Sequence, residues 1–158
     1  MREEVALDVL TLTELTRKYL PGMIERRSGR ILNVASTAGF LPGPFMAVYY
    51  ASKAYVISFS EALWEELRGT GVSVTVLCPG ATETGFGARA NMGKTMLFSL
   101  PLSKPEPVAK AGYRAMMRGA RLTTPWPPSN WLVSISPHLT PRRLLLWMSR
   151  KAVEGERG

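Results

Sequence analysis

At 158 residues, 46% apolar and 20% charged, the chain has the make-up of one globular domain large enough to bury a core. It shows no charged-then-apolar leader. Its most apolar late segment, "WLVSISPHLTPRRLLLWM", is broken by prolines and two arginines, which argues against a membrane span and for a cytoplasmic protein. The net charge of +8 is uneven: residues 1–85 carry eight basic and nine acidic side chains, residues 86–158 twelve and three. The cations stand singly or in pairs, without interleaved stacking aromatics, which argues against nucleic acid and for a solvated basic face.

Apolar residues from Val5 to Ile24 recur at helical spacing, so residues 4–27 read as a helix ended by Ser28-Gly29. "RILNVAS" reads as a short buried strand and "TAGFLPGPF" as a Gly- and Pro-rich connection. A second helix is expected over 47–67, with Glu61, Glu65, Glu66 and Arg68 on its wetter side. "TGVSVTVLCPG" is the next strand, and the alternation of helix and strand argues for parallel strands joined by crossover helices. Beyond Gly80 the pattern loosens into a Gly-, Met- and Pro-rich stretch expected to hold a short helix. "PEPVAKAGYRAMMRG" then has the Pro start and Gly stop of a helix, and "RLTTP" fits a third strand. The division is residues 1–124 for the α/β domain and 125–158 for an amphipathic helical tail.

Cys78, lying against Pro79 at a strand end, reads as a small buried apolar residue. His138 has no companions for a metal site, so none is expected. Met92, Met96, Met116 and Met117 suit either a hydrophobic pocket wall or ordinary packing. Trp126, Trp131 and Trp147 alternate with Arg142, Arg143, Arg150 and Lys151 in the tail, whose apolar face is expected to pack on the domain. A membrane-surface role is the weaker reading.

Chemistry is most concentrated in "YYASK". Tyr49 and Lys53 are four apart, so they share one helix face, whereas Tyr50 points about 100° away. A phenol ionises near pH 10, and a neighbouring ammonium lowers that value, which suits a general acid or base at a carbonyl or alcohol oxygen. Ser36, at the end of the preceding strand, is placed to orient such an oxygen.

Ser36, Tyr49 and Lys53, with "PGATET" one strand later, resemble the short-chain dehydrogenase/reductase family. So do "LTELTRKYLPGM", "GRILNVASTAG", "AVYYASKAYVISFSEALWEEL" and "GVSVTVLCPGATETGF", which together cover most of the chain. The resemblance selects Tyr49 over Tyr50 by its distance from both Ser36 and Lys53. It implies Tyr49 as proton donor or acceptor, Ser36 as the substrate-oxygen ligand, and Lys53 as the cation that lowers the phenol's pKa and holds the nicotinamide ribose. Pro79, Gly80, Thr82 and Thr84 would line the cofactor beside Tyr49 and Lys53. Asp8 stands where the family usually has asparagine, and its charge is expected to compete for the Lys53 ammonium.

The implied fold is α/β: the C-terminal strands and helices of a Rossmann-like, doubly wound parallel sheet. The implied activity is NAD- or NADP-dependent hydride transfer between carbonyl and secondary alcohol, on a small, apolar substrate. The sequence holds no strand, Gly-rich turn and helix to receive a pyrophosphate, since Gly80, Gly85 and Gly87 have the wrong spacing. A truncated enzyme, weak or inactive alone, is therefore the leading expectation. The alternatives are a non-catalytic module dimerising through helices 4–27 and 47–67, and a membrane-surface protein.

Overall fold

A computed structural model describes residues 2–83, 102–125 and 129–154, without the side chains of 129–131, 138 and 153. The chain opens with a continuous helical run: α1 (Arg2–Val5), a π-helical turn (Ala6–Thr11) and α2 (Leu12–Glu25). Strand β1 (Gly29–Val34) follows, then a 3-10 turn (Thr37–Phe40), α3 (Ala47–Glu66) and β2 (Val72–Leu77). After them come α4 (Pro105–Met117), β3 (Leu122–Thr123), α5 (Ser129–Leu139) and α6 (Arg142–Val153). The long helices and the three strands expected within the described residues are present, and the tail forms two helices.

The three strands are parallel in the order β1-β2-β3, with Gly29 opposite Val72 through Val34 opposite Leu77. Strand alternation separates the two faces of the sheet. Val72, Val74, Val76 and Cys78 turn toward α2 and α3, where they meet Leu20, Met23, Val56, Ile57, Leu63 and Leu67. Leu77 and Leu32 turn the other way, against Gly112 of α4, where an added Cβ would lie 2.7 Å from a Leu77 methyl. Helices thus cover both faces, the arrangement that parallel strands require. Val74, Val76 and Cys78 are completely buried. The tight connection before β2 needs Gly71, which has φ +83° and whose added Cβ would fall 2.1 Å from the Arg27 carbonyl oxygen.

β2 has a strand on each side, but β1 is paired only with β2 among the described residues. Its other edge opens on a groove of about 430 Å³ whose walls include Leu7, Leu15, Tyr19, Ile31 and Val34. Both connections at the C-terminal end of this sheet are held together. The Ala35 N–H donates to the Leu77 carbonyl (2.8 Å), and the Thr37 N–H donates to the Pro79 carbonyl (2.9 Å).

Candidate active site

Ser36 ends the run out of β1 in an extended conformation and caps the 3-10 turn, its hydroxyl accepting from the Ala38 N–H at 3.1 Å. That turn lies hard against α3: an added Cβ on Gly39 would sit 2.7 Å from the Lys53 carbonyl oxygen. The chain then reaches α3, whose first turns carry Tyr49, Tyr50 and Lys53. Ser36 and Tyr49, thirteen positions apart, come together here, close enough for the Ser36 side chain to favour the phenolate.

The two tyrosines have different surroundings. Tyr50 is buried, and its ring fills the space that a side chain at residue 43 would need, an added Cβ on Gly43 falling 2.1 Å from the ring. Its edge meets the Tyr49 ring at 5.9 Å between centroids. Tyr49 keeps partial access to solvent and has the Lys53 ammonium 5.7 Å from its ring centroid. Tyr50 thus packs the loop before α3 against that helix.

Asp8 takes hold of the lysine. The Lys53 ammonium donates to Oδ1 at 3.0 Å and lies 2.9 Å from Oδ2, with both side chains largely shielded. Ser52 Oγ is 2.8 Å from Asp8 Oδ2 and 2.9 Å from the Tyr49 carbonyl, so its one proton goes to either acceptor. Asp8 is borne on the π-helical turn, a widened turn of a kind that often marks functional sites. The turn is braced from α3: Thr13 Oγ1 donates to the Val9 carbonyl (2.6 Å), leaving the Tyr55 hydroxyl to donate to Thr13 at 2.7 Å.

The consequence for Tyr49 differs from the expectation of a lowered pKa. Burial pushes the phenol above its ordinary value; the Ser36 side chain pulls it down, while the carboxylates of Asp8 and Glu4 push it further up. An ammonium closely paired with a carboxylate offers the phenol little net positive field, which accounts for the difference. Burial pushes the Cys78 thiol to about 12, with Glu61 adding to it, in keeping with an inert core residue.

Pro79, Gly80 and Thr82 follow β2 on the same sheet end as Ser36, the Thr82 hydroxyl donating to the Gly80 carbonyl at 3.0 Å. Thr84, Met92, Met96 and Trp126 lie outside the described residues, as do the short helix expected after Gly80 and the side chains of Trp131 and His138. Met116 and Met117 end α4 near Gly119, itself beside Ser73 at the start of β2. That is the sheet end opposite Ser36, so they do not line this site. Sequence reasoning missed Ser52 and Glu4. Ser52 is readable from "YYASK" as the residue between the tyrosines and the lysine, but its partner forty-four positions away is not.

The geometry joins a hydroxyl, a phenol and a lysine at the C-terminal ends of parallel strands, where open α/β sheets bind their ligands. The family model for short chain dehydrogenases matches residues 1–95. The chain belongs to the short-chain dehydrogenase family. Ketoacyl reductase HetN of Nostoc is 43% identical over 110 residues, which cover 69% of this chain and 38% of that protein. The very-long-chain 3-oxoacyl-CoA reductase of Rattus norvegicus is 42% identical over 79 residues, 50% of this chain and 25% of that one. This short-chain dehydrogenase thus spans less than half the length of either relative. Its fold matches the short-chain dehydrogenase of Burkholderia cenocepacia, solved with NADP, at a TM-score of 0.75 and 21% identity over 94% of this chain and 58% of that one. The Sphingobium yanoikuyae enzyme, solved with NADPH, matches at 0.69 and 25% identity over 98% and 59%.

Proposed function

We propose that this chain supplies the proton-handling and substrate-binding part of a nicotinamide-dependent carbonyl reductase, with Tyr49 as general acid toward the carbonyl and base toward the alcohol. The observation that carries the reading is the placement of Ser36 beside Tyr49 at the strand ends, with Lys53 one turn further along α3. A phenol held mostly protonated suits donation to the oxygen of a ketone as it becomes an alkoxide. Ser36 holds that oxygen in line by hydrogen bonding. Ketoacyl and 3-oxoacyl-CoA reductases among the relatives favour a 3-oxoacyl thioester as the substrate class.

The residues present suit one end of NAD or NADP. Lys53, Tyr49, Pro79, Gly80 and Thr82 would hold its nicotinamide ribose side, with Thr84 completing the run. The dinucleotide supplies or accepts a hydride when bound. Its pyrophosphate finds no cradle among the described residues, because Gly39 and Gly43, between β1 and α3, face the Lys53 backbone and the Tyr50 ring rather than open space. We therefore propose that the 158 residues alone bind the cofactor weakly and turn over slowly or not at all.

Titration of the purified chain with NADPH tests the second point: no saturation in the micromolar range is expected, and micromolar affinity overturns it. The first is tested by adding the Gly-rich, cofactor-binding part of a related reductase in trans and following NADPH consumption with a 3-oxoacyl thioester. Turnover that disappears with Tyr49→Phe is expected. Turnover equal in variant and wild type, or none in any combination, counts against Tyr49. A second reading, a module that pairs through the first helical run and α3, draws on the exposed Leu10 of the π-helical turn and Leu15, Tyr19 and Ile24 of α2. Sedimentation of the chain alone measures it.

A further inference from the structure

We propose that the outward face of α6, with the turn that joins it to α5, docks on an anionic lipid bilayer. Leu145 and Ser149, one turn apart, are the buried positions of α6. The opposite side of the helix carries Arg143, Leu144, Trp147, Arg150 and Lys151. Trp147 is 59% exposed, and Leu144, Leu146 and Met148 are exposed too. At the end of α5, Leu139 is 79% exposed beside the Thr140-Pro141 turn. Among the described large apolar side chains of α6, Leu145 is the one that is buried.

Charge identifies the occupant. From Pro107 to Val153 the sequence has no acidic residue, against eight lysines and arginines. Arg142 and Arg143 have no ion pair among the described residues, and Glu154 meets Arg150 and Lys151 only at 3.5 and 3.6 Å, in solvent. Cations set around exposed Trp, Leu and Met on a short amphipathic helix are the pattern of interfacial binding. The apolar side chains enter the headgroup region while the cations meet anionic lipid. A nucleic-acid face has no use for exposed leucine and methionine between its cations, and a second copy of this basic face would repel the first. The face lies near the candidate site without being part of it: α5 packs on the 3-10 turn that Ser36 caps, and the Arg150 guanidinium sits 5.5 Å over the ring of Phe45. The docking does not rest on the reductase reading.

Co-sedimentation of the full chain with phosphatidylcholine vesicles, with and without phosphatidylserine, tests this at low and high salt. Binding that needs phosphatidylserine and is released by salt is expected. Arg143→Gln and Lys151→Gln should each weaken it roughly fivefold. Trp147→Ser should weaken it as well, with an unchanged circular dichroism spectrum. The comparison of lipid compositions needs no variant, so it decides even where a variant folds poorly. Equal binding to both vesicle types, or to neither, overturns the proposal. So does a Gln pair that binds like the wild type, equal or tighter retention of duplex DNA or RNA, or self-association that Trp147→Ser relieves.

Discussion

β1 and β2 are adjacent strands of equal length, and they live in different surroundings. β2 has a neighbour on each side, helices on both faces, and Val74 and Val76 sealed from solvent. Among the described residues β1 has one neighbour and a groove, with Val34 and the facing Leu7 and Leu15 exposed. The candidate site draws on both strands but leans on the packed side. Ser36 is tied through Thr37 and Pro79 to the end of β2, and Tyr49 and Lys53 ride on α3, which packs on β2. The candidate site is therefore held together beside a strand edge that is unpaired among the described residues. Open strand edges are templates for association, so the exposed side of β1 is where a further strand or partner would pair.

The largest expected effect falls on the packed side. In the complemented assay, Tyr49→Phe should lower turnover about 100- to 10,000-fold, the usual contribution of a positioned acid–base group. Its melting temperature should stay near that of the wild type, because the ring remains. Val76→Ala tests the packing beneath. It removes methyl groups from a fully buried position and should cost about 2 kcal/mol of folding stability in urea titrations. A loss that large at a matching position of β1 would erase the contrast between them.

Much of this contrast was legible in the sequence. Helical periodicity, the Val-rich strands and the Gly-Pro punctuation located the elements, because local patterns determine local structure. The family resemblance carried by Ser36, Tyr49 and Lys53 pointed to the candidate site, and a strand end and a helix start joined by a short loop have few ways to meet. The state of Tyr49 was not legible. Whether its phenol ionises early or late depends on burial and on which partner Lys53 chooses, and both are set by Asp8 arriving from a distant helix. How much of the tail the domain covers was not legible either. Amphipathic spacing marks two faces, but which one the domain covers is decided by the neighbour.

Asp8→Asn sharpens the role of that distant helix. Removing the carboxylate takes away one of the charges that hold the Tyr49 phenol up and frees the Lys53 ammonium, so both changes act in the same direction. Tyrosinate absorbance, read as the difference between Asp8→Asn and the Asp8→Asn/Tyr49→Phe double variant, should appear at lower pH than the matching wild-type difference. The sign for stability follows. The folded protein holds the Tyr49 proton more tightly than the unfolded chain, so that contribution is intact below the ordinary phenol value of 10.0 and is lost as pH rises through the higher folded one. Asp8→Asn should narrow that alkaline window. An unchanged tyrosinate curve would mean that burial alone governs the phenol.

The smallest effect belongs to the bare side, and its smallness is the point. Leu15→Ser on α2 faces the groove and is half exposed, so in the isolated, monomeric chain it should change stability by no more than about 0.5 kcal/mol. Apolar surface that solvent already reaches has little left to lose. If urea titration instead returns a cost comparable to that of Val76→Ala, the groove is covered in solution. Repeating the measurement across protein concentration then separates a second copy, whose contribution grows with concentration, from a segment of the same chain, whose contribution does not.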